Sequence, residues 1–148
     1  MRWSRFLIAV LLLFALAEAD AGDFSSNEYV RLEVRPVPGK MRPGSSGHIE
    51  LRFLPSPGIH VNADPPVAFS LDSAGAAVLK GKPVITKDST TGYLSTTVPV
   101  RQEMALPRKT APGQLTVRGT VTYYYCSDDE GWCNREKEPV EFTIAVVP

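Results

Sequence analysis

The stretch Tyr123-Tyr124-Tyr125-Cys126-Ser127-Asp128-Asp129-Glu130-Gly131-Trp132-Cys133 holds the only two cysteines of the 148-residue chain, with six residues between them. An alternating run, Leu115-Thr116-Val117-Arg118-Gly119-Thr120-Val121-Thr122-Tyr123, leads in, and a second, Val140-Glu141-Phe142-Thr143-Ile144, leads out. Period-two alternation on both sides of an acidic loop that ends in Gly-Trp reads as strand, turn and returning strand. Cross-strand neighbours in a hairpin stand ~4.5–5.5 Å apart at Cβ, so two thiols at its mouth are within bridging range. The rest of the chain reads as scaffold for that pair.

Outward from the hairpin the same pattern repeats. Tyr29-Val30-Arg31-Leu32-Glu33-Val34-Arg35 alternates with Val30, Leu32 and Val34 facing in, and Pro36, Pro38, Gly39, Pro43 and Gly44 end it. Ile49-Glu50-Leu51-Arg52-Phe53 is a second strand, stopped by Pro55, Pro57 and Gly58. Ile59 to Asp64 reads as a short strand running into Pro65-Pro66, with weaker strands at Val67 to Leu71 and Ala77 to Leu79. Lys80 to Lys87 is basic and ends in the turn-like Asp88-Ser89-Thr90-Thr91-Gly92. Tyr93 to Val100 reads as another strand, and Ala105 to Gly113 as a Pro-rich connection. No run of ten or more residues beyond the N-terminal segment carries the helical period. About seven short strands, turn signals every ~8–12 residues and prolines kept to loops and edges predict an all-β, immunoglobulin-like antiparallel β-sandwich over residues 29–148.

The N-terminus predicts export. Arg2 and Arg5 precede an unbroken apolar run from Phe6 to Leu16, followed by two small-x-small sites, Ala17-Glu18-Ala19 and Ala19-Asp20-Ala21. Residues 1–21 thus read as a cleaved signal peptide, with cleavage after Ala19 or Ala21, and 22–28 as a flexible linker. The apolar run is shorter than the ~20 residues a spanning helix needs, so no stable membrane insertion is expected after cleavage. No cysteine follows it, which argues against a lipid-modified terminus. A periplasmic or secreted protein is expected, in a compartment where a disulfide can form. Sixteen basic side chains balance sixteen acidic ones, and no basic cluster stands out, so neither nucleic acid nor an anionic lipid surface is an expected partner.

Strand parity refines the reading of the pair. If Leu115, Val117, Val121, Tyr123 and Tyr125 share the core face, Thr116, Arg118, Thr120, Thr122, Tyr124 and Cys126 share the other. Cys126 is then expected on the polar side of its strand, unlike the inter-sheet bridge of antibody domains. So short a loop contributes roughly 2–2.5 kcal/mol on closure, the low end for a disulfide. The residues alone leave three readings open: a structural staple, an exchangeable redox pair, or a metal site. The metal reading is weak, because the only histidines are His48 and His60 and the acidic loop lacks the alternating ligands of a calcium loop. No metal and no cofactor is expected. Asp128, Asp129 and Glu130 lie between the thiols and are expected to disfavour a thiolate, which suits exchange inside a specified complex rather than broad oxidation. Tyr124, Tyr125 and Trp132 either shield the sulfurs or are packed aromatics at a sheet edge. His60, Asn62 and Asp64 read either as polar site residues or as a strand-end histidine with ordinary partners. No Gly-x-Ser-x-Gly elbow is present for serine catalysis.

With these residues in view, Thr120 to Val146 resembles the periplasmic N-terminal domain of the thiol:disulfide interchange protein DsbD family. Pro57-Gly58-Ile59-His60-Val61-Asn62-Ala63-Asp64-Pro65-Pro66 is similar to a segment common in that domain family. The likeness is specific in the cysteine hairpin and looser elsewhere. It implies an immunoglobulin-like fold whose redox-active pair is here Cys126 and Cys133; from their place in and beside the loop, Asp128, Asp129, Glu130, Trp132 and Tyr124 are expected to modulate that pair. The likeness also implies a thioredoxin-like or membrane-embedded reductase as electron donor and a periplasmic thiol protein as acceptor. Cys133, by that likeness, makes the mixed disulfide and Cys126 resolves it. A cap loop covers the pair in the family, and Lys80 to Gly92 is the candidate here. Six residues separate the cysteines, one more than in the best-known members, so a different turn is expected. The rival expectation is a non-enzymatic interaction module with a structural hairpin disulfide.

Overall fold

The computed structural model describes residues 24–148, so the expected signal peptide lies outside the described residues. In chain order the elements are β1 (Phe24–Ser26), β2 (Val30–Val37), β3 (Lys40–Met41), β4 (Ser46–Pro55), β5 (Ile59–Val61) and β6 (Ala68–Leu71). They continue with α1 (Ser73–Val78), β7 (Leu79–Val84), β8 (Val100–Ala105), β9 (Gly113–Ser127) and β10 (Trp132–Val146). One sheet runs β1-β2-β4-β8-β7, and the other β3-β10-β9-β5, with β6 also paired to β9. The protein is an all-β sandwich. Every pairing between strands is antiparallel except the short parallel one between β3 and β10.

Alternation builds the core. Val30, Leu32 and Val34 of β2, with Ile49, Leu51 and Phe53 of β4, supply one inner face. Val117, Val121, Tyr123 and Tyr125 of β9, with Val140, Phe142 and Ile144 of β10, supply the other, and Leu115 packs against them half-buried. Phe53 and Tyr123 meet edge-on across the layer, with ring centroids 5.0 Å apart. Each such apolar side chain stabilises the fold by roughly 1.5–3 kcal/mol on burial. Where the inner face turns polar, Tyr123 pairs with Glu138 and Asn27, with Glu138 Oε1 left without a hydrogen-bond partner. The Tyr123 hydroxyl donates to Glu138 at 2.5 Å and accepts from Asn27 Nδ2 at 3.1 Å, and Asn27 Oδ1 takes the backbone N–H groups of Tyr29 and Val30. The segment read as a linker is therefore tied to the sandwich at Asn27, and Phe24–Ser26 pairs with Arg31–Glu33.

Two strand expectations fail for identifiable reasons. Ala77 and Val78 are not in a strand, because the chain from Ser73 to Val78 is helical; only Leu79 of that span is extended, as the first residue of β7. Asp72 caps that turn by accepting the Gly75 N–H at 2.8 Å, and the Ala-rich run favours the helix. Gly75 is needed there: a Cβ would stand 2.8 Å from both Leu71 Cβ and Val117 Cγ1. Tyr93 to Val100 is likewise not a strand, apart from an isolated bridge between Lys87 and Leu94. Ser95 Oγ takes the Val98 N–H at 3.2 Å, a local bond that competes with a ladder, and Pro99 has no N–H to offer. The strand starts at Val100 instead, where Val100, Gln102 and Met104 point inward.

Candidate functional site: a disulfide at the rim of the second sheet

β9 and β10 form a ladder in register from Gly113↔Val146 to Ser127↔Trp132, and Cys126 lies directly opposite Cys133. The two are joined as a disulfide, with an S–S distance of 1.97 Å and the Cα atoms 4.0 Å apart. The connecting turn is Asp128 to Gly131. Its Gly131 N–H returns to Ser127 O at 2.9 Å, and Ser127 Oγ takes the Glu130 N–H at 3.2 Å. Gly131 sits at φ 71°, the left-handed region that favours glycine, which is why this residue can close the turn.

Parity holds and accessibility does not follow from it. Cys126 is on the outer face of β9, opposite in sense to Tyr123 and Tyr125, as expected. Yet it is only 5% exposed, whereas Cys133 is exposed. The cover comes from the third strand. β5 pairs antiparallel to the end of β9, setting His60 directly opposite Cys126 and Val61 opposite Tyr125. The ladder runs on one residue further, with the Asn62 N–H donating to Tyr124 O at 2.8 Å. His60, Cys126 and Cys133 thus form one row across three strands, and Asn62 lies diagonally from Cys126 on the same face. Asn62 Nδ2 is 3.4 Å from Cys126 Sγ, and Asn62 Oδ1 is 3.6 Å from the same sulfur.

Above this row lies Tyr93. Its ring stacks on His60 with centroids 3.5 Å apart and planes within 5°, and its hydroxyl donates to the Asp128 carboxylate at 3.3 and 3.4 Å. Partial burial, then the Asp128 charge and hydrogen bond, hold the Tyr93 hydroxyl above its ordinary pKa, so it remains a donor. His60 Nδ1 stands 3.3 Å from Asp128 Oδ2, an ion-pair distance whose alignment makes no hydrogen bond. Leu94 is anchored by its N–H to Val61 O at 2.9 Å, which fixes Tyr93 over β5. Between these groups is a cleft of about 490 Å³, lined by His60, Asn62, Tyr93, Asp128 and both cysteines among others.

The other expected site residues separate. Of the acidic trio only Asp128 lines the cleft. Glu130 accepts from Trp132 Nε1 at 2.6 Å, so its carboxylate is engaged along the loop. Asp129 is exposed and takes no part in the cleft lining. Trp132 borders the cleft, but its ring packs against Tyr29 and Tyr125 at 5.0 and 5.9 Å, and Tyr125 is a core residue. Those two are packed aromatics at the sheet edge. Tyr124 is half-buried on the outer face and meets the site through its carbonyl. Of the span Lys80 to Gly92, Leu79–Val84 is β7 on the opposite sheet, and only Gly92 reaches the cleft, next to Tyr93. The ring that covers the site thus sits one residue past the expected segment.

His60, Asn62 and Tyr93 are the members the hairpin alone could not point to. The signal for two of them was the alternation Ile59-His60-Val61-Asn62, which puts a polar pair on one face of a short strand. Tyr93 had no local signal. Among the described residues, no group of three or more His, Cys, Asp and Glu side chains is placed to hold a metal ion, and no helix is long and apolar enough to cross a membrane. Compared with known proteins, the chain matches no family model and no curated relative.

Proposed function

We propose that this chain is an exported thiol–disulfide exchange domain, akin to the N-terminal domain of the DsbD family, which relays electrons through Cys126 and Cys133. The observation that carries the reading is the asymmetry of the bridge: it closes at the rim of a sheet, with Cys133 exposed and Cys126 buried beside β5. An incoming thiolate meets Cys133 first. It bonds to Cys133 Sγ, the Cys126–Cys133 bond breaks, and the electron pair leaves on Cys126 Sγ. A second thiol of the donor then attacks the mixed disulfide, so a donor dithiol is oxidised as the Cys126–Cys133 disulfide is reduced. The same steps in reverse deliver the two electrons to a client disulfide, with Cys133 as attacker. A thioredoxin-like or membrane-embedded reductase as donor and a periplasmic thiol protein as acceptor suit this chemistry.

A structural bridge in an interaction module is the rival, and the ladder argues against it. Fifteen residue pairs already zip β9 to β10, so a bond at the last but one adds little to the pairing. Two measurements test the proposal together. The bridge should equilibrate with physiological dithiols, at about −200 to −270 mV rather than below about −300 mV. Cys126→Ala protein, mixed with periplasmic extract, should accumulate mixed disulfides through Cys133. Cys133→Ala protein should accumulate far fewer. An inert bridge with no trapped partner would leave the structural reading standing.

A further inference from the structure

We infer that Asn62 is a catalytic residue of the exchange, holding the Cys126 thiolate that forms when the bridge opens; this rests on the exchange reading above. Opening at Cys133 places a negative charge on Cys126, a sulfur only 5% exposed and thus poorly reached by water. Unless something else donates to it, a buried thiolate is costly and leaves slowly. The group in reach is the Asn62 amide, with Nδ2 at 3.4 Å from Cys126 Sγ. The amide is held in place before reaction. Its backbone N–H is committed to Tyr124 O, Val61 before it is fixed by pairing with Tyr125, and the Val61 carbonyl takes the Leu94 N–H.

The same amide serves both protonation states of the sulfur. Oδ1, at 3.6 Å, can accept from the protonated thiol, and Nδ2 donates to the thiolate. A thiol is a weak donor, whereas a hydrogen bond to a charged acceptor is about twice as strong as a neutral one. The amide therefore favours the thiolate on balance. The other titratable side chains that line this cleft are His60, Asp64, Tyr93 and Asp128; negative charge on Asp64, and on Asp128 of the hairpin turn, acts the opposite way. The Asp128 carboxylate is turned toward the Tyr93 hydroxyl and His60. Cys133 is exposed and takes its solvation from water, so Cys126 is the sulfur whose charge depends on a protein donor, and attack on the exposed Cys133 sends the electron pair to Cys126. That makes Cys126 the leaving group and Cys133 the sulfur that carries the partner.

The test compares Asn62→Leu, Asn62→Asp and Asn62→Gln with the parent protein, using dithiothreitol as the reductant. In a Cys133→Ala background, thiolate absorbance against pH reads the Cys126 pKa directly. Asn62→Leu should raise it by about one unit, a tenfold change in ionisation, and Asn62→Asp should raise it further. In the intact pair, reduction by dithiothreitol at fixed pH should slow several-fold in both, with Asn62→Gln nearer the parent. A merely structural role would alter stability and leave the Cys126 titration where it was. An unchanged titration in a folded Asn62→Leu protein overturns the inference while bridge exchange, and with it the proposed function, stands. A bridge that dithiothreitol cannot open in the parent overturns both.

Discussion

At the scale of single residues, the outer faces of the two sheets show how a polar side chain is held inside a β ladder. Glu50 is on the outer face of β4, its neighbours Ile49 and Leu51 are in the core, and its side chain is only 9% exposed. Arg35 reaches it with two bonds of 3.1 and 2.8 Å, and Arg101 and His48 stand at 3.4 Å. The Arg35 bond, opposed by partial burial and aided by His48 and Arg101, holds the Glu50 carboxyl below its usual range. A depressed carboxyl stabilises the fold above the unfolded value of about 4.3 and loses that contribution as pH falls through the folded value. Both arginines are more than half exposed, so solvent screens the pair and the contribution is about 1 kcal/mol at most. Glu50→Gln should thus lower the urea midpoint at pH 7 slightly and flatten its decline below about pH 4.5. Parallel pH profiles for the two proteins would show that Glu50 has no such role. The Asn62 side chain belongs to the same class of feature, and neither role was legible from composition. Sequence alternation put Glu50 and Asn62 on outer faces, but only the strand order reveals that Arg35 flanks one and Cys126 the other.

At the scale of elements, legibility followed locality. β2, β4, β9 and β10 were readable because alternation over five or more residues and Gly/Pro stops are properties of one segment. The Cys126–Cys133 register was readable for the same reason, since a hairpin carries its own partner. β5 was readable as a short strand within Ile59 to Asp64, but its place beside β9 was not, and neither was the position of the chain around Tyr93, because both depend on contacts made from a distance in sequence. The polar side assigned to Cys126 was correct in direction but not in exposure, because parity says nothing about what a neighbouring strand covers. The hairpin yields a test of its own. Closing so short a loop restricts the unfolded chain by roughly 2–2.5 kcal/mol on the chain-entropy model. The β9–β10 ladder and its inner face are independent of that bond. Dithiothreitol-reduced protein should therefore stay folded, keep a cooperative urea transition with an unchanged m-value, and lose about 2–2.5 kcal/mol. Loss of the transition on reduction would mean that the bridge holds the sandwich together, which an exchange protein could not tolerate during turnover.

At the scale of the whole molecule, the sandwich separates the Glu50 cluster of the first sheet from the disulfide of the second. The Glu50 cluster lies on the outer face of β4, and the bridge lies on the outer face of β9 and β10. Two sheets pack ~10 Å apart, with the core between them, so these groups share no partner. Perturbations at sites this far apart add to within about 0.3–0.5 kcal/mol. The consequence is a thermodynamic cycle. If Glu50→Gln costs the same stability in the oxidised and the reduced protein, the native dithiol and the native disulfide are shifted equally, and the bridge potential cannot move. Asn62 variants should behave differently, because the amide touches one sulfur of the pair and favours the ionised form that only the reduced protein contains. Equilibration with a glutathione or dithiothreitol buffer near neutral pH reads both. The Glu50→Gln potential should match the parent within about 10 mV, which is roughly a twofold change in the equilibrium constant. The Asn62→Leu potential should drift with pH differently from the parent as Cys126 titrates. A shift in the Glu50→Gln potential of tens of millivolts would mean that the two faces are coupled through the core. The site would then extend through both layers of the sandwich.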